Sequence, residues 1–125
     1  MPVHYAIDAS KRLMVVTAEG TTTAAELFAN QDDIRNDPAL SPDHSALVDF
    51  TGAVEFLVTG DDLRLLVQRA PYSPEVPIAL VAHDDLRFGL ARMLHTFGES
   101  RSARVKLFRE HAAALAWIDE TRRAR

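Results

Sequence analysis

An α/β fold with a mixed five-stranded sheet, in the order β-β-α-β-α-β-α-β-α, is what this 125-residue sequence predicts. Three observations predict it. Short apolar or two-residue-alternating segments take turns along the chain with segments whose apolar residues recur at helical spacing. The first two strand-like segments are parted only by Ala9-Ser10-Lys11, too short for a crossover, so they form an antiparallel hairpin. Every later strand is separated from the next by a helix, which demands parallel strands, right-handed crossovers and helices on the sheet faces.

Val3, Tyr5 and Ile7 alternate with His4, Ala6 and Asp8, a strand with one more apolar face. Leu13 to Thr17 is apolar on both faces and reads as an interior strand that Glu19-Gly20 ends. Thr23 with Glu26 has the spacing of a capping box, in which hydroxyl and carboxylate each close a free backbone N–H. Leu27, Phe28 and Ile34 give the apolar stripe of that helix, and Asp37-Pro38 stops it, because the residue before proline disfavours the α region. Ala46 to Phe50 is the third strand. Thr59 and Asp62 repeat the capping spacing, and Leu63, Leu66, Val67 and Ala70 form the inward face of the next helix, ended by Pro71-Tyr72-Ser73-Pro74. Val76 to Ala82 is nearly continuous in apolar residues, as in a strand buried on both faces, with Pro77 at its start. Asp84 or Asp85 caps the following helix, whose stripe is Leu86, Leu90, Met93, Leu94 and Phe97, with Gly98 at its end. Ala103 to Phe108 alternates as an edge strand. Ala112 to Ile118 is the last helix, with Leu115 and Ile118 inward and Trp117 half-buried.

Composition narrows the function classes. The length fits one domain over residues 1–125 with one substantial core. With 47% apolar and 26% charged residues the chain is of soluble globular type. A net charge of −4 gives no general pull towards nucleic acid or anionic membrane. The one basic cluster, Arg122-Arg123-Ala124-Arg125, reads as a solvated frayed end. There is no cysteine, which excludes disulfides, thiolate catalysis and zinc–thiolate sites. No apolar run approaches the ~20 residues of a membrane span. Met1-Pro2-Val3-His4-Tyr5 lacks the regions of a signal peptide, and a cytoplasmic protein is the expectation.

The stretch Ala46 to Val67, ALVDFTGAVEFLVTGDDLRLLV, organises the chain: strand, irregular segment, helix start. A hairpin followed by helix–strand units, with the Asp-x-Thr-Gly element Asp49-Phe50-Thr51-Gly52, resembles the anti-sigma-factor-antagonist fold called STAS, the SpoIIAA-like group. Val81 to Met93, VAHDDLRFGLARM, is similar to a segment of small bacterial proteins of STAS/SEC14 type. The resemblance covers nearly the whole chain in architecture. It implies a regulatory module that works through protein contacts. One departure matters. The signalling members carry Asp-Ser-Ser-Gly at the strand-to-helix loop, where a kinase phosphorylates serine; here the stretch is Leu57-Val58-Thr59-Gly60. Val58 has no hydroxyl, and the simplest role of Thr59 is that of helix N-cap.

In an open α/β sheet, ligands sit beyond the carboxyl ends of the strands. Asp49, Thr51, Thr59, Asp61, His83, Asp84 and Asp85 are expected near those ends. Together they could form a ligand or partner crevice, hold a divalent cation or pair as general acid and base; as helix-start acids they serve capping and the dipole. Of the five scattered histidines His83 alone is kept, for its place beside Asp84. Phe56, Leu57 and Val58, in an apolar loop, and Phe88, off its helix's stripe, are candidate interface residues. Tyr72, Phe88, Met93, Phe97 and Trp117 could line a cavity for a small apolar, lipid-like ligand. The reading is a non-enzymatic regulatory or protein-interaction module and homodimer, with no cofactor, no metal and no nucleic-acid partner. Its alternatives are an apolar-ligand carrier and a small hydrolase-like or metal-dependent enzyme using His83 with Asp49 or Asp84.

Overall fold

Leu13–Thr23, strand β2, lies between two unlike neighbours: it runs antiparallel to β1, Val3–Asp8, and parallel to β3, Ser45–Leu57. Strands β4, Ile78–Val81, and β5, Val105–Phe108, continue the parallel set, giving the order β1-β2-β3-β4-β5. The computed structural model describes residues 3–71, 75–95 and 105–124. Among these, the helices are α1, Ala24–Arg35, α2, Gly60–Arg69, α3, Asp84–His95, and α4, His111–Arg123. The predicted mixed five-stranded α/β architecture, its opening hairpin and its edge strand are the ones observed. Phe97, Gly98 and Tyr72 lie outside the described residues.

Strand alternation divides the interior into two clusters. Met14, Val16, Ala46, Phe50 and Leu80 pack with Leu27 and Ile34 of α1, Leu63 and Leu66 of α2, and Leu90 and Leu94 of α3. The opposite face carries Leu13, Leu47, Ala79 and Val81 beneath Ala114 and Ile118 of α4. Three helices therefore cover one face and one helix the other. Burying a side chain such as Leu47 or Leu90, each with no exposed surface, contributes about 1.5–3 kcal/mol.

Several boundaries differ from the sequence reading. Glu19-Gly20 does not end β2, and β3 does not stop at Phe50. The two continue side by side past their neighbours, with register irregularities between Thr17 and Glu19 and between Gly20 and Thr21. The extra residues lie on β3, and such bulges bend a ribbon and re-aim its side chains. Gly20 supplies a φ of +67°, and an added Cβ at Gly52 would stand 3.2 Å from the Ala18 carbonyl oxygen. The bend is strong: six residues of straight strand span about 20 Å, yet the rings of Phe50 and Phe56 meet edge-to-face at 5.1 Å. Phe56 and Leu57 therefore belong to a strand rather than a loop.

At the other elements, β4 is shorter than its apolar run, since Pro77 lacks an N–H and instead accepts from the Ala46 N–H at 3.2 Å. Asp84 and Asp85 stand in the first turn of α3 rather than at its cap: the His83 carbonyl accepts from the Arg87 N–H, which puts His83 in the cap position. Arg122 and Arg123 of the basic tail are helical rather than frayed. Helix α4 continues through Arg123, and Arg122 donates to the Asp43 carbonyl at 2.8 Å and to Ser45 Oγ at 2.9 Å, tying the end of α4 to the start of β3.

Candidate functional site

The rows of the sheet bring Thr17, Asp49, Val81 and Phe108 into register where β4 and β5 end and β2 and β3 run on as the bent ribbon. After β4 the chain passes to the face of α1 to α3, and after β5 it passes to the other face. Neighbouring strands whose helices leave to opposite sides open a crevice between their ends. Its walls are His83 and Asp84 after β4 and Arg109 to His111 after β5.

Asp49 lies at this edge with a side chain 13% exposed. The bulge after it turns Thr51 back on it, so that Oδ1 accepts from the Thr51 N–H at 2.8 Å and from Thr51 Oγ1 at 2.6 Å. Oδ2 lies 2.8 Å from His111 Nδ1. A carboxylate only accepts, so Nδ1 carries the proton and Nε2 is left outward on a ring 44% exposed. Burial pushes the Asp49 carboxyl up, but the bonds from Thr51 and His111 outweigh it and hold the group below the ordinary carboxylate range.

The other expected residues are dispersed. Asp84 is gripped by Arg109, at 2.8 Å and 3.3 Å, with Arg87 at 3.4 Å. His83 is exposed, and among the described residues no hydrogen bond joins it to Asp49 or Asp84. Asp61 pairs with Arg64. Thr59 caps α2, accepting from the Asp62 N–H at 3.1 Å while Asp62 accepts from the Thr59 N–H at 3.0 Å. A phosphate there would gain from the helix start but face Asp61 and Asp62 directly. Among the described residues no group of three His, Asp or Glu side chains could hold a metal ion. His111 is the site residue the sequence reading missed: it stands 62 residues from Asp49, and only the crossover at β5 brings them together.

The interface candidates also separate. Val58 is buried, so it belongs to the core and not to an interface; Phe56 is half-buried against Phe50. Leu57 and Phe88 are 52% and 62% exposed. Val54, a bulge residue absent from the sequence reading, is 89% exposed, and Leu65 on α2 is exposed as well. An apolar cavity does lie between α1, α2 and the sheet, lined by Val16, Leu27, Ile34, Leu63 and Leu66, but its volume is about 90 Å³. Ligand sites hold roughly 300–1,000 Å³, so this space is too small for a lipid-like molecule. Trp117 lies on the other face of the sheet, against Phe108.

No family model matches the chain, and no curated protein matches it. A solved structure does: an uncharacterized protein of the DUF3478 family with a SpoIIAA-like fold, from Shewanella loihica PV-4. It is 18% identical, the match covers 93% of each chain, and the TM-score is 0.60. The chain therefore has the SpoIIAA-like fold expected from its hairpin and Asp-x-Thr-Gly element. Among the described residues no helix is long and apolar enough to cross a membrane.

Proposed function

We propose that this SpoIIAA-like chain is a non-enzymatic regulatory or protein-interaction module of the cytoplasm, acting as a homodimer. The observation that carries the reading is Phe88, a large aromatic side chain 62% exposed on the outer side of α3. Aromatic residues, Phe among them, are enriched in protein interfaces relative to the rest of the surface. Leu57, at the end of the bent ribbon, adds a second exposed apolar side chain. Native mass spectrometry over a concentration series, on wild type and Phe88→Glu, tests this. A dimer mass that the variant converts to monomer, with unchanged circular dichroism, is the expected result. Wild type that stays monomeric at every concentration sinks the homodimer.

The Asp49–His111 pair favours a second reading, in which a small hydrolase-like enzyme uses His111 rather than His83 as its proton acceptor. Ester hydrolysis that persists unchanged in His111→Gln would dispose of it.

A further inference from the structure

At the amino ends of the parallel strands, opposite the Asp49 edge, a groove of about 700 Å³ runs between the β1–β2 turn and the outer half of α4. It goes beyond the interaction reading, and its size falls in the range of small-molecule sites. Its floor is apolar: Leu13, Leu115 and Ile118. Its rim carries three cations, Lys11, Arg12 and Arg122, and the acid Asp119; the Asp43 carboxylate, behind the rim, stands 3.2 Å from Arg12 and 4.0 Å from Arg122, which leaves Lys11 as the cation without an ion pair among the described residues. Asp119 is already held by Arg123 at 2.7 Å. Arg122 is fixed by the Asp43 carbonyl and Ser45 Oγ, so its position does not depend on a ligand.

Arg12 is the second observation. Its φ is +50°, and among the described residues it alone of the non-glycines is in the left-handed region. Glycine or asparagine closes such a turn with little strain. An arginine persists there only because its surroundings hold it: its N–H donates to the Ala9 carbonyl, its own carbonyl accepts from the Ser45 N–H, and its guanidinium reaches Asp43 at 3.2 Å. Strain of this kind collects where a side chain has a task.

We propose that this groove binds an anionic amphiphile, a carboxylate or phosphate head on an aliphatic chain. The head meets Lys11 and Arg12, and the chain lies along Leu13, Leu115 and Ile118. The occupant differs from an apolar ligand enclosed under the helices, because the head group supplies the selectivity. The test is two-dimensional NMR titration of the full chain with decanoate, decyl phosphate, decanol and acetate, each below its micelle concentration. Decanoate or decyl phosphate should shift amides of residues 11–13 and 115–122 saturably, and bind about tenfold more tightly than decanol; acetate should shift none. Comparing decanoate with decyl phosphate assigns the head. Lys11→Glu should weaken binding several-fold without affecting the fold. Arg12→Gly should weaken binding while leaving the melting temperature equal or higher. Equal binding of decanol, shifts that map to the cavity under α1 and α2, absence of saturable binding, or an Arg12→Gly variant that binds as wild type overturns the proposal.

Discussion

Replacing Asp49 probes the junction between β3 and α4 most directly. Its carboxylate takes three hydrogen bonds, from the Thr51 N–H, Thr51 Oγ1 and His111 Nδ1, all at 2.6–2.8 Å. Bonds to a charged acceptor contribute about 1.5–3 kcal/mol each, but His111 and Thr51 can recover water, and the three are not additive. Asp49→Ala should therefore cost about 2–4 kcal/mol. At about 4 °C per kcal/mol for a chain this size, that lowers the melting temperature by about 8–16 °C. Asp49→Asn keeps an acceptor for Thr51 and loses the charge opposite His111, so its cost is about 1–2 kcal/mol. The pH dependence separates charge from packing. The folded carboxyl lies below its ordinary value, so its stabilisation is present above about pH 4 and is lost as pH falls through the depressed folded value. Urea unfolding at a series of pH values should show the gap between wild type and Asp49→Asn holding down to about pH 4 and narrowing below it. A gap that stays constant would refute the assignment of a charged, hydrogen-bonded Asp49.

Three further predictions follow from backbone and packing. Gly52→Ala pushes a methyl against the Ala18 carbonyl oxygen and Glu19 and should cost about 1–3 kcal/mol in chemical denaturation. Gly89→Ala, within α3 and with nothing within 4 Å of the new methyl, should raise stability by about 0.5–1 kcal/mol in the same assay. Arg122→Ala strands the fully buried Ser45 hydroxyl and should cost about 1–3 kcal/mol, with faster hydrogen exchange in the last turns of α4.

What could be read in advance was local. The capping boxes Thr23–Glu26 and Thr59–Asp62 need only residues three apart, and both form as their spacing requires. The apolar stripes of α1 to α3 and the unbroken run into β4 likewise carry their partners' demands within themselves. The bent extension of β2 and β3 was not legible, because it depends on which residues of β3 are left unpaired opposite β2. Nothing in Gly52-Ala53-Val54 distinguishes a loop from a bulged strand. The crevice was legible as a place and not as a pair. Asp49 could be set at a strand end, but its histidine comes from the far side of a crossover, and His83 drew attention only by lying next to an aspartate.

The two polar ties of α4 make β3 a gauge for its length. His111 meets Asp49 at one end and Arg122 meets Ser45 at the other. Eleven helical steps advance about 16 Å, and the four strand steps they are measured against advance about 13 Å, the side chains making up the difference. A single residue added within α4 would turn one end about 100° relative to the other. It could then satisfy Asp49 or Ser45, but not both, so this helix should tolerate substitutions on its outer side far better than any change in its number of residues.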